Sequence, residues 1–341
     1  MREETGEKYF AHIAMEKRKI IIDCDPGIDD ALALMLACAS ETLDILGITI
    51  VSGNIRGEQC AQNALQVLKR MGRLDIPVYL GETKPLKRNL VDAADTHGGD
   101  GLGGVLLPPV TGVSFGDDAI TFLRDTLTAN DGVTVVAIGP LTNIAVLLQK
   151  YPEAARKMRE LIFMGGAFKS HGNCSPVAEF NFWADPDAAE LVLNYLGRPA
   201  TMVGLDVTRQ VVLTPNDREL LHQLGEPLAD FIVDITRFYT DFHWAQERTL
   251  GCVINDPLAV AYLLDSTLCA GQDYYVDVVT EGKAIGMSMV DVGKITGKAP
   301  NCKVLTQVDA GRFMVMFMTK LFPAHRDDIV RVLSDASGDR H

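Results

Sequence analysis

Residues 19–39 read KIIIDCDPGIDDALALMLACA, in the order strand, tight turn, helix. Lys19–Asp23 is a short β-branched run of the kind buried on both faces of a parallel sheet. Pro26 and Gly27 interrupt it, and Ile28–Ala39 has the composition and length of a helix. Outward from this unit the alternation repeats. Ile45–Val51 reads as a strand and Glu58–Met71 as a helix. Val133–Ile138, Leu161–Met164 and Ala200–Gly204 read as further strands, spaced by helices over Thr142–Lys150 and Asp187–Leu196. The pattern is α/β: an open, mostly parallel sheet with helices on both faces. No Gly/Ser-rich linker or repeat divides the chain. Residues 19–341 are therefore expected to form a single domain, preceded by a flexible polar extension over residues 1–18. The second half is more helical. Leu213-Thr214-Pro215 is a cap-then-proline start, Phe231–Arg248 a long helix and Tyr275–Thr280 a late strand, while Arg312–Leu321 has both strand and helix character.

Composition narrows the function class. The 341 residues are 47% apolar, enough for a large core, and 32 basic against 45 acidic side chains leave a net charge of −13. Without clustered Lys and Arg, an acidic chain does not suit nucleic acid or an anionic membrane. No apolar run approaches the roughly 20 residues of a membrane span, and the N-terminal residues lack a signal-peptide core. The seven cysteines are scattered without a CxxC pair. They read as reduced thiols of a cytoplasmic protein, not as a disulfide or zinc framework.

In open parallel sheets, ligands sit at the carboxyl ends of strands. At the first such end, Asp23, Asp25, Asp29 and Asp30 fall within eight residues. A strand projects Asp23 and Asp25 to one side, and the Asp pair after Gly27 occupies a helix's first turn, where the dipole favours anions. Four converging carboxylates repel one another unless a cation holds them, and hard oxygen donors point to Mg²⁺ or Ca²⁺. The bland alternative is a helix cap with solvated acids. A DxD after the first strand also opens the haloacid-dehalogenase-like phosphatases, but Pro26-Gly27 stands here where those proteins usually carry Gly-Thr.

DCDPGIDDA resembles the opening motif of the nucleoside hydrolases, which cleave the N-glycosidic bond of ribonucleosides. The resemblance runs along nearly the whole chain from Lys19. It takes in Ser52-Gly53-Asn54, the loop His97–Gly103, Gly139–Asn143, Met164-Gly165-Gly166, Gly172-Asn173, Ala178–Asn181 and Asn255-Asp256-Pro257. It implies a Rossmann-like core and a Ca²⁺-dependent hydrolase releasing base and ribose, assembled as a homodimer or homotetramer. By motif position, Asp25 would be the general base acting on metal-bound water. Asp25, Asp30, Asp256 and the Ile138 carbonyl would ligate Ca²⁺, and Asp29 would hold the ribose 2′-hydroxyl. Asn54 and Asn181 would bind ribose hydroxyls and Asn173 and Glu179 the 5′-hydroxyl. Met164 would line the sugar pocket, and Asp23 would support its neighbours.

One position departs from the pattern. A branch of the family carries, immediately before its last metal-binding Asp, a His that protonates the leaving base; this chain has Asn255, whose amide is no acid. The chain could be a catalytically weak nucleoside-binding relative, or favour purines activated by stacking and solvent protonation, or have recruited another acid. Tyr239, His243 and Glu247 are spaced four apart on the expected long helix and so share a face, with Tyr239 and Asn255 at the substrate. His243 titrates near neutral pH and is the candidate acid. His97, opening a glycine-rich loop over the pocket, is a second functional candidate. His171 lies in a site loop without assigned chemistry, Trp244 is expected to point elsewhere, and Cys24 among the acids is expected to be unreactive.

Overall fold

The computed structural model describes residues 17–338; of the expected extension over residues 1–18 only Lys17 and Arg18 fall within it, and Arg18 already opens the first strand. The main sheet contains β1 (Arg18–Cys24), β2 (Leu43–Ile50), β3 (Val78–Leu80), β4 (Thr134–Ala137), β5 (Glu160–Met164) and β6 (Ala200–Val203). Next come β7 (Val212–Leu213) and β8 (Cys252–Val253), which form a small ribbon, then β9 (Cys269–Tyr274), β10 (Val276–Val278), β11 (Ser288–Val290) and β12 (Cys302–Val308). The eight-stranded sheet runs β3-β2-β1-β4-β5-β6-β12-β9, parallel throughout except for the edge strand β9.

Alternation along each strand divides the core into two layers. Ile20, Ile22, Val136 and Ile138 pack on one face with the helices Ile28–Cys38, Gly57–Arg70, Asp256–Leu264 and Ala310–Leu321. Ile21, Val135, Ala137 and Phe163 pack on the other with Ala119–Ala129, Thr142–Lys150 and Pro186–Tyr195. The chain is thus the expected α/β sheet clad on both sides. Strand order reverses between β1 and β4, so the loops leaving these two strands diverge and open a crevice at their carboxyl ends.

Two elements differ from the reading of the sequence, and a third, left open there, is settled. The late strand expected over Tyr275–Thr280 is the shorter β10, which pairs antiparallel with β11, while β9, which ends just before it at Tyr274, pairs antiparallel with β12. Arg312–Leu321 is settled as helix, extending from Ala310 to Leu321, because the Asp309 carboxylate accepts the Arg312 N–H at its start. His97 does not sit in irregular loop; it closes the one-turn helix Ala94–His97, and the glycine-rich turn begins at Gly98, whose φ of 83° is a conformation that favours glycine.

Candidate active site

The acids at the tip of β1 are sealed from water, contrary to the solvated-cap alternative: Asp23, Asp25 and Asp30 are fully buried and Asp29 is 4% exposed. Asp30 does serve its helix, accepting the backbone N–H groups of Asp25 (3.1 Å) and Gly27 (3.0 Å). It also accepts from the Asn54 side chain at 2.8 Å. Carboxylate oxygens of Asp29, Asp30 and Asp256 lie within 4.8 Å of one another. Asp256 arrives from 226 residues downstream of Asp30 as the first residue of its helix. Asp25 adjoins Asp30 and stands outside this converging triad. Burial first, and then the neighbouring carboxylates, push the pKa values of Asp25 and Asp256 well above the carboxylate range, and that of Asp30 to about 7.

Asp25 is wedged. Its Oδ2 accepts the Asn54 N–H at 2.7 Å, while its buried Oδ1 finds no hydrogen-bond partner among the described residues. A Cβ at Gly53 would lie 2.2 Å from Oδ2, and one at Gly139 would lie 2.6 Å from Oδ1. The tips of β2 and β4 therefore close on the carboxylate from two sides, an approach only glycine permits. A buried carboxylate oxygen without a partner, beside three further converging carboxylates, is a donor set that fits a hard divalent cation. Asp23 faces elsewhere. Its Oδ1 accepts from Thr49 Oγ1 (2.5 Å) and Asn143 Nδ2 (2.7 Å), which ties the β1 tip to β2 and to the helix Thr142–Lys150, and burial pushes it up to about 7.

Above the acids opens a cavity of about 480 Å³. Asp29, Asn54, His97, Ile138, Met164, Asn173, Glu179, Asn181, Tyr239, His243, Asn255 and Asp256 all line it, whereas Asp23, Asp25 and Asp30 are not among its lining residues. On one wall, Asn181 Nδ2 donates to the Ile138 and Met164 carbonyls, each at 3.0 Å. Asn54 Nδ2 donates to the Asp25 carbonyl at 3.1 Å as well as to Asp30. Glu179 caps the short helix Phe180–Ala184 by accepting the N–H groups of Asn181 and Phe182, and it takes the Gly166 N–H too. Burial nevertheless raises its pKa to about 7.

On the opposite wall, Tyr239, His243 and Glu247 do share one face of the helix Pro227–Glu247 and line the cavity, while Trp244 is 47% exposed and lies outside it. Tyr239 Oη donates to Asp29 Oδ2 (3.1 Å), and Asn255 Nδ2 donates to the same oxygen (2.9 Å) and to Tyr239 Oη (3.2 Å). Asn255 Oδ1 is buried without a partner among the described residues. The two histidines differ in tautomer. The Ile28 N–H donates to His97 Nδ1 at 3.1 Å, so neutral His97 carries its proton on Nε2. A second proton on Nδ1 would face that N–H. His243 Nδ1 donates to the Tyr239 carbonyl at 2.8 Å, which leaves Nε2 as the nitrogen that can gain and release a proton. Burial lowers both pKa values, and for His243 the Tyr239 carbonyl works against it.

Several contributors had no role in the sequence reading. The glycines at Gly53 and Gly139 and the Asn143 anchor stood within motifs, yet their function is a matter of close approach that spacing does not reveal. Arg209 also lines the cavity and carries no motif. His171 faces the cavity, with Nδ1 against the Gly172 carbonyl at 2.8 Å. The seven cysteines are free thiols, and burial, more than the adjoining aspartates, pushes Cys24 well up. No helix among the described residues is long and apolar enough to cross a membrane.

The protein that holds this polar cavity over buried carboxylates, at the switch point of a parallel sheet, is a nucleoside hydrolase, an enzyme of the N-glycosyl bond. Within that class the chain belongs to the inosine-uridine preferring nucleoside hydrolase family, which it matches over residues 20–315. It is 38% identical over 305 residues to the pyrimidine-specific ribonucleoside hydrolase RihA of Escherichia coli O1:K1, covering 89% of this chain and 97% of that one. Identity to RihB of Escherichia coli O157:H7 is 38% over 301 residues, 88% and 95% of the two chains. Among solved structures, a purine-preferring ribonucleoside hydrolase from Gardnerella vaginalis superimposes with a TM-score of 0.84 at 33% identity, over 91% of this chain and 99% of that one. A plant nucleoside hydrolase does so with a TM-score of 0.85 at 31% identity, over 89% and 98%. The phosphatase alternative is not favoured by these relatives.

Proposed function

We propose that this chain is a calcium-dependent ribonucleoside hydrolase of the cytoplasm, releasing free base and ribose for purine or pyrimidine salvage or catabolism. The observation that carries the reading is Asp25, a buried carboxylate with an unpartnered oxygen, clamped by two strand tips beside Asp30. Asp25, Asp30, Asp256 and the Ile138 carbonyl would hold the ion, whose larger, flexible oxygen shell suits Ca²⁺ better than Mg²⁺. Calcium there supplies the charge that lets these carboxylates remain ionised together and makes nearby water more acidic.

The chain's own groups then divide the work. Asp25 takes a proton from the attacking water. Asp29 accepts from the 2′-hydroxyl, Asn54 and Asn181 meet the ribose hydroxyls, and Asn173 and Glu179 meet the 5′-hydroxyl. Met164 floors the sugar, and Asp23 steadies the β1 tip. The crowded negative charge stabilises the oxocarbenium-like transition state as the C–N bond opens. Tyr239 and Asn255 hold Asp29 between them at the base side. His97 offers Nε2–H to the base as a hydrogen-bond donor, and His243 passes its Nε2 proton to the leaving nitrogen. The free thiols support a reducing compartment. Exposed Met289, Val292 and Ile295, on and just beyond β11, support self-association as a homodimer or homotetramer.

The relatives' names divide between pyrimidine and purine, so the test uses both. Purified protein with Ca²⁺, with and without a chelator, is mixed with inosine, uridine and a phosphate ester, and free ribose and phosphate are measured. Ribose release that the chelator abolishes is the expected result. Nucleoside binding without ribose release would identify the non-catalytic relative suggested by Asn255, and activity indifferent to chelation would remove the metal.

A further inference from the structure

The sugar-side rim of the cavity is held by a device that the roles above do not use. After β6, the one-turn helix Leu205–Thr208 presents Asp206 and, at its carboxyl end, Arg209. The Asp206 carboxylate accepts the backbone N–H groups of Phe168 (2.7 Å), Lys169 (2.7 Å) and Ser170 (3.0 Å). Arg209 donates to the carbonyls of His171 and Gly172 and to the Ser170 hydroxyl. It also pairs with Glu247 at 2.8 Å. One acid therefore collects the donors of the loop leaving β5, and one base collects its acceptors.

Beyond this grip the loop is stiff. Gly172 N–H donates to the Pro176 carbonyl, and the N–H groups of Asn173 and Cys174 donate to the Ala178 carbonyl. A Cβ at Gly172 would lie 2.2 Å from the Ser175 carbonyl oxygen and 2.3 Å from that of Ala178. A stiff loop gripped at its root moves as one body, so the hold on Gly172 sets the place of the next residue, Asn173, in the cavity wall. Glu247, the other end of the grip, closes the helix that carries His243.

We propose that Arg209 is a positioning residue: it seats the loop 171–178 so that Asn173 meets the 5′-hydroxyl in reacting geometry, and through Glu247 it ties that loop to the His243 helix. The proposal rests on the reading of Asn173 as a 5′-hydroxyl contact. Misplacing such a contact costs rate because the bond is realised fully only in the transition state.

Steady-state kinetics with saturating Ca²⁺ test it, comparing a ribonucleoside with its 5′-deoxy counterpart. Arg209→Ala is expected to lose about tenfold or more in kcat/KM on the ribonucleoside, chiefly in kcat, and less than about threefold on the 5′-deoxy substrate. Arg209→Lys keeps the charge toward Glu247 but lacks the planar fork on two carbonyls, and is expected to lie between. It carries the same comparison should the Ala variant fail to fold. Equal losses on both substrates, or none, overturn the proposal and leave Arg209 a structural residue. A wild-type enzyme indifferent to the 5′-hydroxyl overturns the Asn173 reading beneath it, whereas a wild-type protein inactive on every ribonucleoside overturns the hydrolase assignment instead.

Discussion

Replacing Asp25 by Asn removes one ionisable group from beside Asp30 in a fully buried site. The loss of the proton acceptor is expected to lower kcat by about 10³-fold, within the usual range for a general base. Without added metal the same variant should melt at a higher temperature than the wild type at neutral pH, since the amide removes a buried acid that the folded site keeps from ionising; thermal denaturation in chelator checks this. The histidines separate at the same scale. His243→Gln is expected to lose about 10²-fold in kcat and, because burial lowers the His243 pKa, to abolish a limb in which kcat falls as pH rises through values below 6.5. His97→Gln, which can still donate a hydrogen bond, should keep that limb. A pH–kcat profile of the three proteins decides between them. The aspartates and both histidines were legible because charge and ring type show in the sequence. The tautomers were not, since they depend on Ile28 N–H and the Tyr239 carbonyl, groups every residue type carries.

Strand tips exert their effect through what they lack. Gly53→Ala would drive a methyl to 2.2 Å from Asp25 Oδ2, displacing the carboxylate without altering any charged or polar side chain. The variant is expected to fold, to bind Ca²⁺ at least tenfold more weakly by calorimetry, and to lose most of its activity; full activity would mean that the wedge is unimportant. The interior strands β1, β2, β4, β5 and β6 could be read from sequence because burial on both faces makes them continuous apolar runs. β9, CAGQDY, could not: it is a partly exposed edge strand, and its pairing with β12 depends on a partner some thirty residues away. β3 and β12 went unread for related reasons, β3 having three residues and β12 being interrupted by Lys303, Thr306 and Gln307. Helix Ala310–Leu321 was ambiguous by propensity and was decided by its Asp309 cap.

For the molecule as a whole, the proposed cation would link binding to folding, because Asp30 and Asp256 meet only in the folded chain. Ca²⁺ at a hundredfold excess over its Kd should stabilise the fold by about 2.7 kcal/mol, seen as a raised denaturation midpoint that a chelator reverses. Glu179 makes stability depend on pH. Burial holds its carboxyl at about 7 against an ordinary 4.5, so between these values the folded protein keeps a proton that the unfolded chain has lost. That stabilisation is complete below about 4.5 and is lost as pH rises through about 7. The stability of the wild type relative to Glu179→Gln should therefore fall from pH 5 to pH 8 in urea titrations; a constant difference would contradict it.

The bonding of three amides has a consequence for what the chamber admits. Asn54, Asn181 and Asn255 each commit both Nδ2 hydrogens to protein oxygens, so each has only its Oδ1 left to offer a guest. Beside carboxylates, Asn54 and Asn181 would make the proposed sugar subsite a recipient of hydrogens, not a provider. Sugar alcohols can satisfy it by turning their O–H bonds outward. Molecules whose oxygens have no hydrogen, such as ethers, esters or fully ionised phosphates, would bring lone pairs against lone pairs and be turned away at the threshold.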